Sequence, residues 1–381
     1  MIFLDYASAT PLSEAAKQAM RPYESDQFFN PSSPYLSAKR VREAYEAAKN
    51  RLAHLIGAKG DDLVITSGAT EANSLAFTAL ETTTAKVLTL PTEHDSILEN
   101  CKKYDYEFIK VDRSGLIDLE DFKRKLTGNV ALVSISLANN ELGTIQPLSA
   151  IAECIKKERD RRLGERNPLP LYFHSDASQA LGLIPLSVAR FGVDLMTLNS
   201  AKVYGPKGVG ALYLGHLVRL APVQSGGGQE RGLRAGTENV PGLMGFTAAA
   251  EEAKKHQSAA RKRYEKLVET LKNELRNSPV EPLYLGNRKH QLANFCPVSF
   301  PGIDAERLIY LLEADEIYLS TGAACAASKG EKSHVLKAIG LTNEEIMGSL
   351  RISLGLQNTE EDIKTAGQKI VSAINKELAR L

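Results

Sequence analysis

The sequence of 381 residues contains only four cysteines, and they lie far apart along the chain. They are Cys101, Cys154, Cys296 and Cys325, and no two of them form a CxxC pair. Structural zinc sites and disulfide frameworks need grouped cysteines, so we expect neither a metal site nor a disulfide-stabilised fold. Cys101 and Cys154 lie in helical-looking segments, where we expect them to be small packing residues.

The sequence also lacks an excess of charge of either sign, a long apolar run and an internal repeat. Its 47 Lys and Arg residues against 46 Asp and Glu residues give a net charge of +1. This balance predicts no direct binding of nucleic acid. No apolar run reaches the roughly 18 residues of a membrane-spanning helix, and the first residues, MIFLDYAS, contain no basic signal-peptide region. We therefore predict a cytoplasmic protein that does not contact membranes.

What the chain does contain is an alternation of short apolar runs, as at residues 86–90, 130–137 and 171–174, with amphipathic stretches. This alternation predicts an α/β fold in which helices cover a mostly parallel sheet. A charged stretch at residues 241–278 has the periodicity of a long helix joining two domains. We expect a large domain at residues 12–248. Residues 1–11 and 249–381 would form a smaller α+β domain, with a strand at 294–300 and a final helix ending at Leu381.

The segment DLMTLNSAKVYGPKGVG, residues 194–210, runs from an apolar strand-like sequence onto Lys202 and into a glycine-rich turn. A lysine at the end of a buried strand is costly unless its amine is neutralised or used. A desolvated amine also has a lowered pKa, which favours Schiff-base chemistry. Lys202 is therefore the leading candidate for a chemical centre. The alternative is a lysine that extends from the strand end into solvent, as most lysines do.

A second apolar run, in LPLYFHSDASQALG at residues 169–182, ends at Asp176. Ligands of open α/β sheets bind outside the carboxyl ends of the strands, so Asp176 and Lys202 could converge on one crevice. Enzymes that use pyridoxal 5′-phosphate need this pair, because the lysine carries the aldehyde and the carboxylate keeps the pyridine nitrogen protonated. The alternative for Asp176 is a helix N-cap.

A third segment provides a candidate phosphate site. Residues 63–66 read as a strand, residues 67–71 as a turn of small and polar residues, and Ala72 as the start of a helix. A helix start offers backbone N–H groups and a favourable dipole to an anion, and Thr70 adds a hydroxyl. An ordinary capping box formed by Ser67, Thr70 and Glu71 is the alternative. The chain contains no GxxxxGK[ST] motif, which excludes a P-loop.

Ten motifs along almost the whole chain carry a family resemblance. They are FLDYASATPL, NPSS, TSGATEANSLA, TEHDSIL, LANNELGTIQP, HSDASQALG, KVYGPKGVGALY, GGGQERGLRAGTENV, STGAACAAS and SLRISLG. In this order they resemble the cysteine desulfurases of the NifS/IscS kind, which are pyridoxal-phosphate enzymes of the class V aminotransferase group. The resemblance implies fold type I, with a seven-stranded sheet in the large domain.

The resemblance also implies a role for individual residues. Lys202 would form the Schiff base with pyridoxal 5′-phosphate and move protons, and His94 would stack on the ring and assist proton transfer. Arg351 would bind the substrate carboxylate with both arms of its guanidinium, a geometry that suits arginine. The remaining contacts would be Asp176 to the pyridinium nitrogen, Gln179 to the phenolic oxygen, Ala69, Thr70 and Asn199 to the phosphate, and Asn140 to the ring and substrate.

By the same resemblance Cys325 would be the nucleophile. It would attack the sulfur of the bound cysteine, leaving alanine and a persulfide on the enzyme, and would then donate sulfur for iron-sulfur cluster assembly or tRNA thiolation. A protein acceptor, such as a cluster scaffold or a thiolation enzyme, would receive it. This chemistry needs a reachable thiolate. The small, glycine-flanked sequence TGAACAASKG suits a loop, although a buried helix start is the alternative.

The segment GGGQERGLRAGTENV is too polar and glycine-rich for a core, and the resemblance implies that its Thr237 reaches the phosphate of a neighbouring subunit. We therefore expect a homodimer, with a solvated surface loop as the alternative. Ala201 and Asn199 depart from the family pattern, which has histidine and serine there. Two other functions stay open: a lyase acting on selenocysteine or cysteine sulfinate, and a non-catalytic scaffold that has lost the cofactor.

Overall fold

The structure, a computed structural model, describes residues 1–80, 85–322 and 332–380. Its strands are β1 (Ile2–Phe3), β2 (Leu63–Thr66), β3 (Lys86–Thr89), β4 (Tyr106–Phe108), β5 (Val130–Ser134), β6 (Tyr172–Asp176), β7 (Leu195–Asn199), β8 (Gly210–Leu214), β9 (Leu283–Tyr284), β10 (Val298–Ser299), β11 (Ile317–Tyr318) and β12 (Ser349–Leu350). Its helices are α1 (Glu14–Glu24), α2 (Leu36–His54), α3 (Ala69–Phe77), α4 (Asp95–Cys101), α5 (Leu119–Lys125), α6 (Leu148–Gly164), α7 (Val188–Phe191), α8 (Val240–Leu275), α9 (Ala305–Glu313), α10 (His334–Ala338), α11 (Asn343–Met347) and α12 (Glu360–Leu378).

A seven-stranded sheet in the order β2-β8-β7-β6-β5-β3-β4 forms the centre of the fold. The five strands from β7 to β4 pair in parallel, whereas β8 is antiparallel to both of its neighbours. All residues of β5 are buried and only Tyr172 of β6 is partly exposed, as expected for parallel strands covered on both faces. The predicted α/β fold with a mostly parallel seven-stranded sheet is confirmed.

The long predicted helix is present as α8, which has 36 residues. Its first half, including Leu243 and Phe246, packs into the core around the central sheet. Its second half, including Leu267 and Leu271, packs into a second core together with α9 and α12. Because one helix serves both cores, the division of the chain at residue 248 stays our proposal. Among the described residues, none of the helices combines the length and the apolar character needed to cross a bilayer.

Two small sheets lie outside the central one. In the first, β1 pairs in parallel with β11, so the N-terminus packs against the C-terminal part of the chain. In the second, β10 lies between β9 and β12. The strand predicted at 294–300 is shorter in the structure, because only Val298–Ser299 forms a regular strand and Pro297, directly before it, has no N–H to donate. The final helix ends at Leu378 rather than at Leu381.

Candidate active site

A cavity of about 240 Å³ opens at the carboxyl ends of β6 and β7, beside the N-terminus of α3. Within the described part of the chain, its lining comprises Ala7, Ser8, Ala69, Thr70, His94, Ser96, Ser136, Ala138, Asn140, Asp176, Ser178, Gln179, Asn199, Lys202 and Arg351. Every site residue that the sequence predicts within the described part of the chain, except Thr237, therefore lies on this one cavity. The edge of the sheet is the one expected for ligands of open α/β sheets.

Asp176 is the last residue of β6 and is only 8% exposed. Its two carboxylate oxygens accept hydrogen bonds from neutral donors: Asn73 Nδ2 at 2.9 Å and the backbone N–H of Ser178 at 2.8 Å. These bonds fix the orientation of the carboxylate without neutralising its charge. A carboxylate that is held only by neutral donors can accept a charge-assisted hydrogen bond from a protonated ring nitrogen.

Lys202 lies in the 3-10 turn Ser200–Lys202, three residues beyond the end of β7. Its Nζ donates to the carbonyl oxygen of Ala7 at 2.8 Å and to that of Ser8. The side chain therefore crosses the cavity towards the N-terminal segment instead of extending into solvent. Gln179 uses the same segment, because its Nε2 donates to the Ala7 carbonyl at 2.9 Å.

His94 caps the N-terminus of α4 with its ring. Its Nδ1 accepts the backbone N–H of Ser96 at 3.1 Å and lies 2.9 Å from the Ser96 hydroxyl. Because a backbone N–H can only donate, Nδ1 carries no proton while this cap is made. The neutral ring then carries its proton on Nε2, which leaves Nε2 as the donor of this side chain.

The anion cradle, which we define as residues 67–71, joins β2 to α3. α3 begins at Ala69 and not at the predicted Ala72, because Gly68, with φ of +152°, ends the extended backbone and serves as the N-cap. This φ is one that residues with a side chain rarely adopt. Helix starts leave their first N–H groups without intrahelical acceptors, so Ala69 and Thr70 present backbone donors and a hydroxyl to the cavity.

The cradle is braced by Glu71, whose Oε2 accepts the Ser67 N–H at 2.6 Å and whose Oε1 accepts Arg234 Nε at 3.1 Å. Burial alone would raise the pKa of Glu71, but the hydrogen bonds from Ser67 and Arg234 together lower it below its ordinary value. Glu71 is therefore an anion at neutral pH. Behind the cradle, a Cβ on Gly210 would lie 2.8 Å from the Gly68 Cα, so β8 approaches the turn backbone to backbone.

Arg351 follows β12 and is only 4% exposed. Its Nη2 and Nε donate to one oxygen of Asp5, at 2.6 and 3.2 Å, and its Nη1 donates to the Asn140 carbonyl at 3.3 Å. The guanidinium is thus fixed at the cavity wall by the N-terminal segment. Asn199, at the end of β7, accepts the Ala201 N–H on its Oδ1 at 3.2 Å, which leaves its Nδ2 as a donor.

Two predicted residues are not placed in this cavity by the structure. Thr237 is exposed in the loop before α8 and does not line the cavity of its own chain. Cys325 lies outside the described residues, so its role stays a prediction. Of the other cysteines, Cys101 and Cys296 are buried, and burial raises the pKa of each thiol to about 12.

Sequence reasoning missed three residues that orient the predicted ones. Asn73 fixes Asp176, Ser96 fixes the ring of His94, and Asp5 fixes Arg351. Ser96 could have been found, since it lies two residues after a candidate N-cap. Asn73 and Asp5 lie 103 and 346 residues from their partners, and no local pattern reports pairings at such distances.

Two titratable side chains are buried next to residues that line the cavity, since Glu93 precedes His94 and His174 lies two residues before Asp176 in β6. Glu93 is 2% exposed and accepts both the backbone N–H and the hydroxyl of Ser136, and burial raises its pKa to about 8. His174 lies between the hydroxyls of Ser134 and Thr197, and burial lowers its pKa to about 4. Both side chains are therefore mainly uncharged at neutral pH.

The lining of the cavity fits pyridoxal 5′-phosphate. A ring nitrogen would find the oriented carboxylate of Asp176, a phosphate would find the anion cradle, and an aldehyde would find the amine of Lys202. The hydroxyl of Ser178, which is buried and lines the cavity, has no hydrogen-bond partner among the described residues. A buried hydroxyl without a partner is uncommon, and a polar ligand would satisfy it.

The family model of class V aminotransferases matches residues 2–365. A protein described as cysteine desulfurase IscS from Dictyoglomus turgidum is 39% identical over 372 residues, which cover 95% of this chain and 91% of that protein.

Two solved structures are also similar. One is described as a NifS-like protein, with a TM-score of 0.90 and 32% identity, covering 98% of this chain and 99% of that chain. The other is described as SspA in complex with cysteine, with a TM-score of 0.80 and 30% identity, covering 93% of this chain and 99% of that chain. The similarity therefore extends over both cores.

Proposed function

Because the chain belongs to the class V aminotransferase family and, within it, to the cysteine desulfurases of the NifS and IscS kind, we propose that it converts L-cysteine to L-alanine. The removed sulfur would be accepted as a persulfide on Cys325. The observation that carries the proposal is the convergence of Lys202, Asp176 and Arg351 on one cavity. The cysteine bound to the similar SspA structure supports the choice of substrate.

Pyridoxal 5′-phosphate, bound to Lys202 as a Schiff base, would supply an electron-withdrawing ring that weakens bonds at the carbon atoms of a bound amino acid. Asp176 would keep the ring nitrogen protonated, and Gln179 would donate to the phenolic oxygen. The anion cradle, with Asn199 Nδ2, would bind the phosphate. Asn140 would lie beside the ring and the substrate.

Lys202 and His94 would move the protons. Lys202 would accept a proton at Nζ, which lies beside the Ala7 and Ser8 carbonyls, and would return it to the substrate. His94 would stack on the ring, and its Nε2 would exchange a proton with the departing or arriving group. The Ser96 cap fixes which ring nitrogen does this.

Arg351 would bind the carboxylate of cysteine. Its position is set by Asp5 and by the Asn140 carbonyl, so the guanidinium does not have to be ordered when the substrate arrives. A planar guanidinium donates two parallel hydrogen bonds to a carboxylate. This pairing would hold the carboxylate end of the substrate at the wall of the cavity beside the N-terminal segment.

The sulfur transfer balances without an external oxidant. The thiolate of Cys325 would attack the sulfur of the substrate, forming the S–S bond as the C–S bond breaks. The carbon would keep the electron pair of that bond and take up a proton, which gives alanine and a persulfide. A protein acceptor, for cluster assembly or tRNA thiolation, would then receive the sulfur. The enzyme would act as a cytoplasmic homodimer in which Thr237 reaches the phosphate of the partner subunit.

The decisive experiment is mass spectrometry of the Cys325 peptide after pyridoxal 5′-phosphate and L-cysteine are added to the purified protein. We expect one additional sulfur atom on that peptide and alanine in solution. A Cys325→Ala variant should lose both. A Cys154→Ala variant, which changes a half-buried cysteine on α6, should keep both.

Two other outcomes would overturn the proposal. Alanine formed without sulfur on Cys325, by the wild-type protein and by Cys325→Ala alike, would indicate a lyase acting on selenocysteine or cysteine sulfinate. Absence of the Schiff-base absorption band after the cofactor is added would indicate a scaffold. The departures at Ala201 and Asn199 would then explain the loss of the cofactor.

A further inference from the structure

The loop of residues 225–239, which we name the glycine-rich loop, contains an unusual stretch of backbone. Glu230, Arg231 and Gly232 follow one another with φ of +45°, +62° and +76°. Two of these three residues have side chains, and such residues rarely adopt positive φ. A strained stretch persists only when surrounding contacts determine it, so the partners of this loop explain what it does.

The side chain of Glu230 anchors the loop inside the protein and is 5% exposed. One carboxylate oxygen accepts the hydroxyl of Tyr45 at 2.6 Å. The other accepts Lys49 Nζ at 2.8 Å and the backbone N–H of Ile65 at 2.9 Å. Tyr45 and Lys49 lie one turn apart on α2, and Ile65 lies in β2. A buried carboxylate with three donors cannot be moved without leaving Lys49 unpaired.

A second contact, made by Arg234, binds the same loop to the anion cradle itself. Ile65, which bonds Glu230, lies two residues before the cradle. Glu71 is the last residue of the cradle and accepts the backbone N–H of Ser67. Arg234 Nε donates to Glu71 at 3.1 Å, so the loop contacts the chain before and after the turn. Thr237 lies three residues beyond Arg234 and is exposed, and Asn239 then begins α8 as its N-cap.

We propose that Glu230 and Arg234 are positioning residues. Glu230 fastens the glycine-rich loop to α2 and β2, and Arg234 fastens it to the anion cradle, so that each subunit fixes the Thr237 that it offers to the cofactor phosphate of a second copy of this chain. The inference rests on the proposed function, since it takes the phosphate and the homodimer from there. The inference goes further by naming the residues that hold Thr237 in place for its contact with the phosphate. Substitution of Glu230 in one subunit should weaken cofactor binding in the other subunit.

The test uses two mixed dimers that contain the same substitutions in different arrangements. In the first, a Glu230→Gln subunit is paired with a Lys202→Ala subunit. The one site with a lysine then receives Thr237 from a subunit with an intact anchor. In the second, a wild-type subunit is paired with a subunit carrying both substitutions. The one site with a lysine then receives Thr237 from a subunit whose anchor is broken.

Cofactor affinity is measured from the Schiff-base absorption of each dimer titrated with pyridoxal 5′-phosphate. We expect the second dimer to bind about tenfold more weakly than the first, as for the loss of one good hydrogen bond. The control is a Glu158→Gln substitution, which replaces Glu230→Gln in both kinds of mixed dimer. It tests the loss of a buried ion pair elsewhere, because Glu158 pairs with the buried Arg162 on α6. This control should not distinguish the two arrangements.

Equal affinity in the two dimers, or weaker binding in the first, would overturn the inference. Such a result would place the effect of Glu230 within its own subunit or remove it altogether. Failure of the proposed function is recognised separately. In that case the wild-type dimer itself shows no Schiff-base band or forms no alanine, before any substitution at Glu230 is made.

Discussion

Arg351 and Asp5 are joined by a hydrogen-bonded ion pair, with Nη2 2.6 Å from the carboxylate oxygen, although 346 residues separate them. Their side chains are 4% and 14% exposed. The first residues of the chain therefore form one wall of the cavity and set the position of the guanidinium. The N-terminal motif DYASATPL thus contributes to the site through Asp5, Ala7 and Ser8.

Replacing Arg351 by lysine should lower kcat/KM for cysteine about 100-fold, mainly through a higher KM. An ammonium cannot donate two parallel hydrogen bonds to the substrate carboxylate while it also contacts Asp5. Alanine formation measured over a range of cysteine concentrations gives both constants. Arg162→Lys, which changes another buried arginine with a carboxylate partner, is the matched control. If its KM changes as much as that of Arg351→Lys, the substrate-binding role is wrong.

Replacing Asp176 by asparagine should lower kcat about 100-fold or more, because an amide does not favour a protonated ring nitrogen. The same change should alter the absorption spectrum of the bound cofactor. Asp194→Asn is the control, since Asp194 precedes β7 at the opposite edge of the sheet and pairs with Arg159. An Asp176→Asn enzyme with the activity and spectrum of this control would contradict the assignment.

Replacing Thr70 by valine removes a hydroxyl from the anion cradle and keeps the shape of the side chain. We expect the dissociation constant of pyridoxal 5′-phosphate to rise about tenfold, which is the effect of one lost hydrogen bond. Because Thr70 is exposed, the melting temperature of the cofactor-free protein should change little. Thr78→Val is a suitable comparison. Thr78 is also a threonine at an end of α3, but its hydroxyl bonds the Leu75 and Ala221 carbonyls instead of facing the cavity.

Replacing Glu93 by glutamine should remove a pH dependence of stability. The pKa of Glu93 is raised from 4.5 to about 8, so the folded protein keeps a proton that the unfolded chain releases. Its contribution to stability is complete below about pH 4.5 and is lost as the pH rises towards 8. The amide of glutamine cannot ionise. It can still keep both partners of Glu93, because it can accept the Ser136 N–H and donate to the Ser136 hydroxyl.

Denaturant unfolding at several pH values checks this prediction. The variant and the wild-type protein should have similar free energies of unfolding near pH 5. Towards pH 8 the variant should become the more stable of the two by an amount on the order of a few kcal/mol. A constant difference across this range would show that Glu93 does not keep its proton in the folded state.

The sequence predicts the part of the site that follows from strand ends. Asp176 and Lys202 come at or just after the ends of β6 and β7, and neighbouring parallel strands bring such residues to one edge. α3 begins three residues before the start that the sequence predicts, because the small residues after Gly68 are equally suited to a turn and to a first helical turn. The strand expected at 294–300 is longer than the observed Val298–Ser299. Its apolar residues are in the core, but Pro297 interrupts the pairing.

The residues that orient the site depend on contacts between distant parts of the chain, which the spacing of residues in the sequence does not indicate. Asn73 reaches Asp176 from the inner face of α3, and Asp5 reaches Arg351 from the opposite end of the chain. Glu230 lies in a segment whose polarity predicts a surface loop, yet its side chain is buried against α2. Such residues become visible only when the packing of separate elements is known.

The close approach of Gly210 to Gly68 restricts how this cavity could be redesigned. A methyl group at position 210 would also lie 2.8 Å from the Leu198 carbonyl oxygen, so it would clash with the backbone of the cradle and with that of β7. Directed-evolution libraries aimed at a new anionic ligand can vary Thr70 and Asn199, but randomising position 210 would mainly yield misfolded clones. Gly210 must therefore stay glycine, whereas the neighbouring positions that line the cavity can be changed to alter which anion it binds.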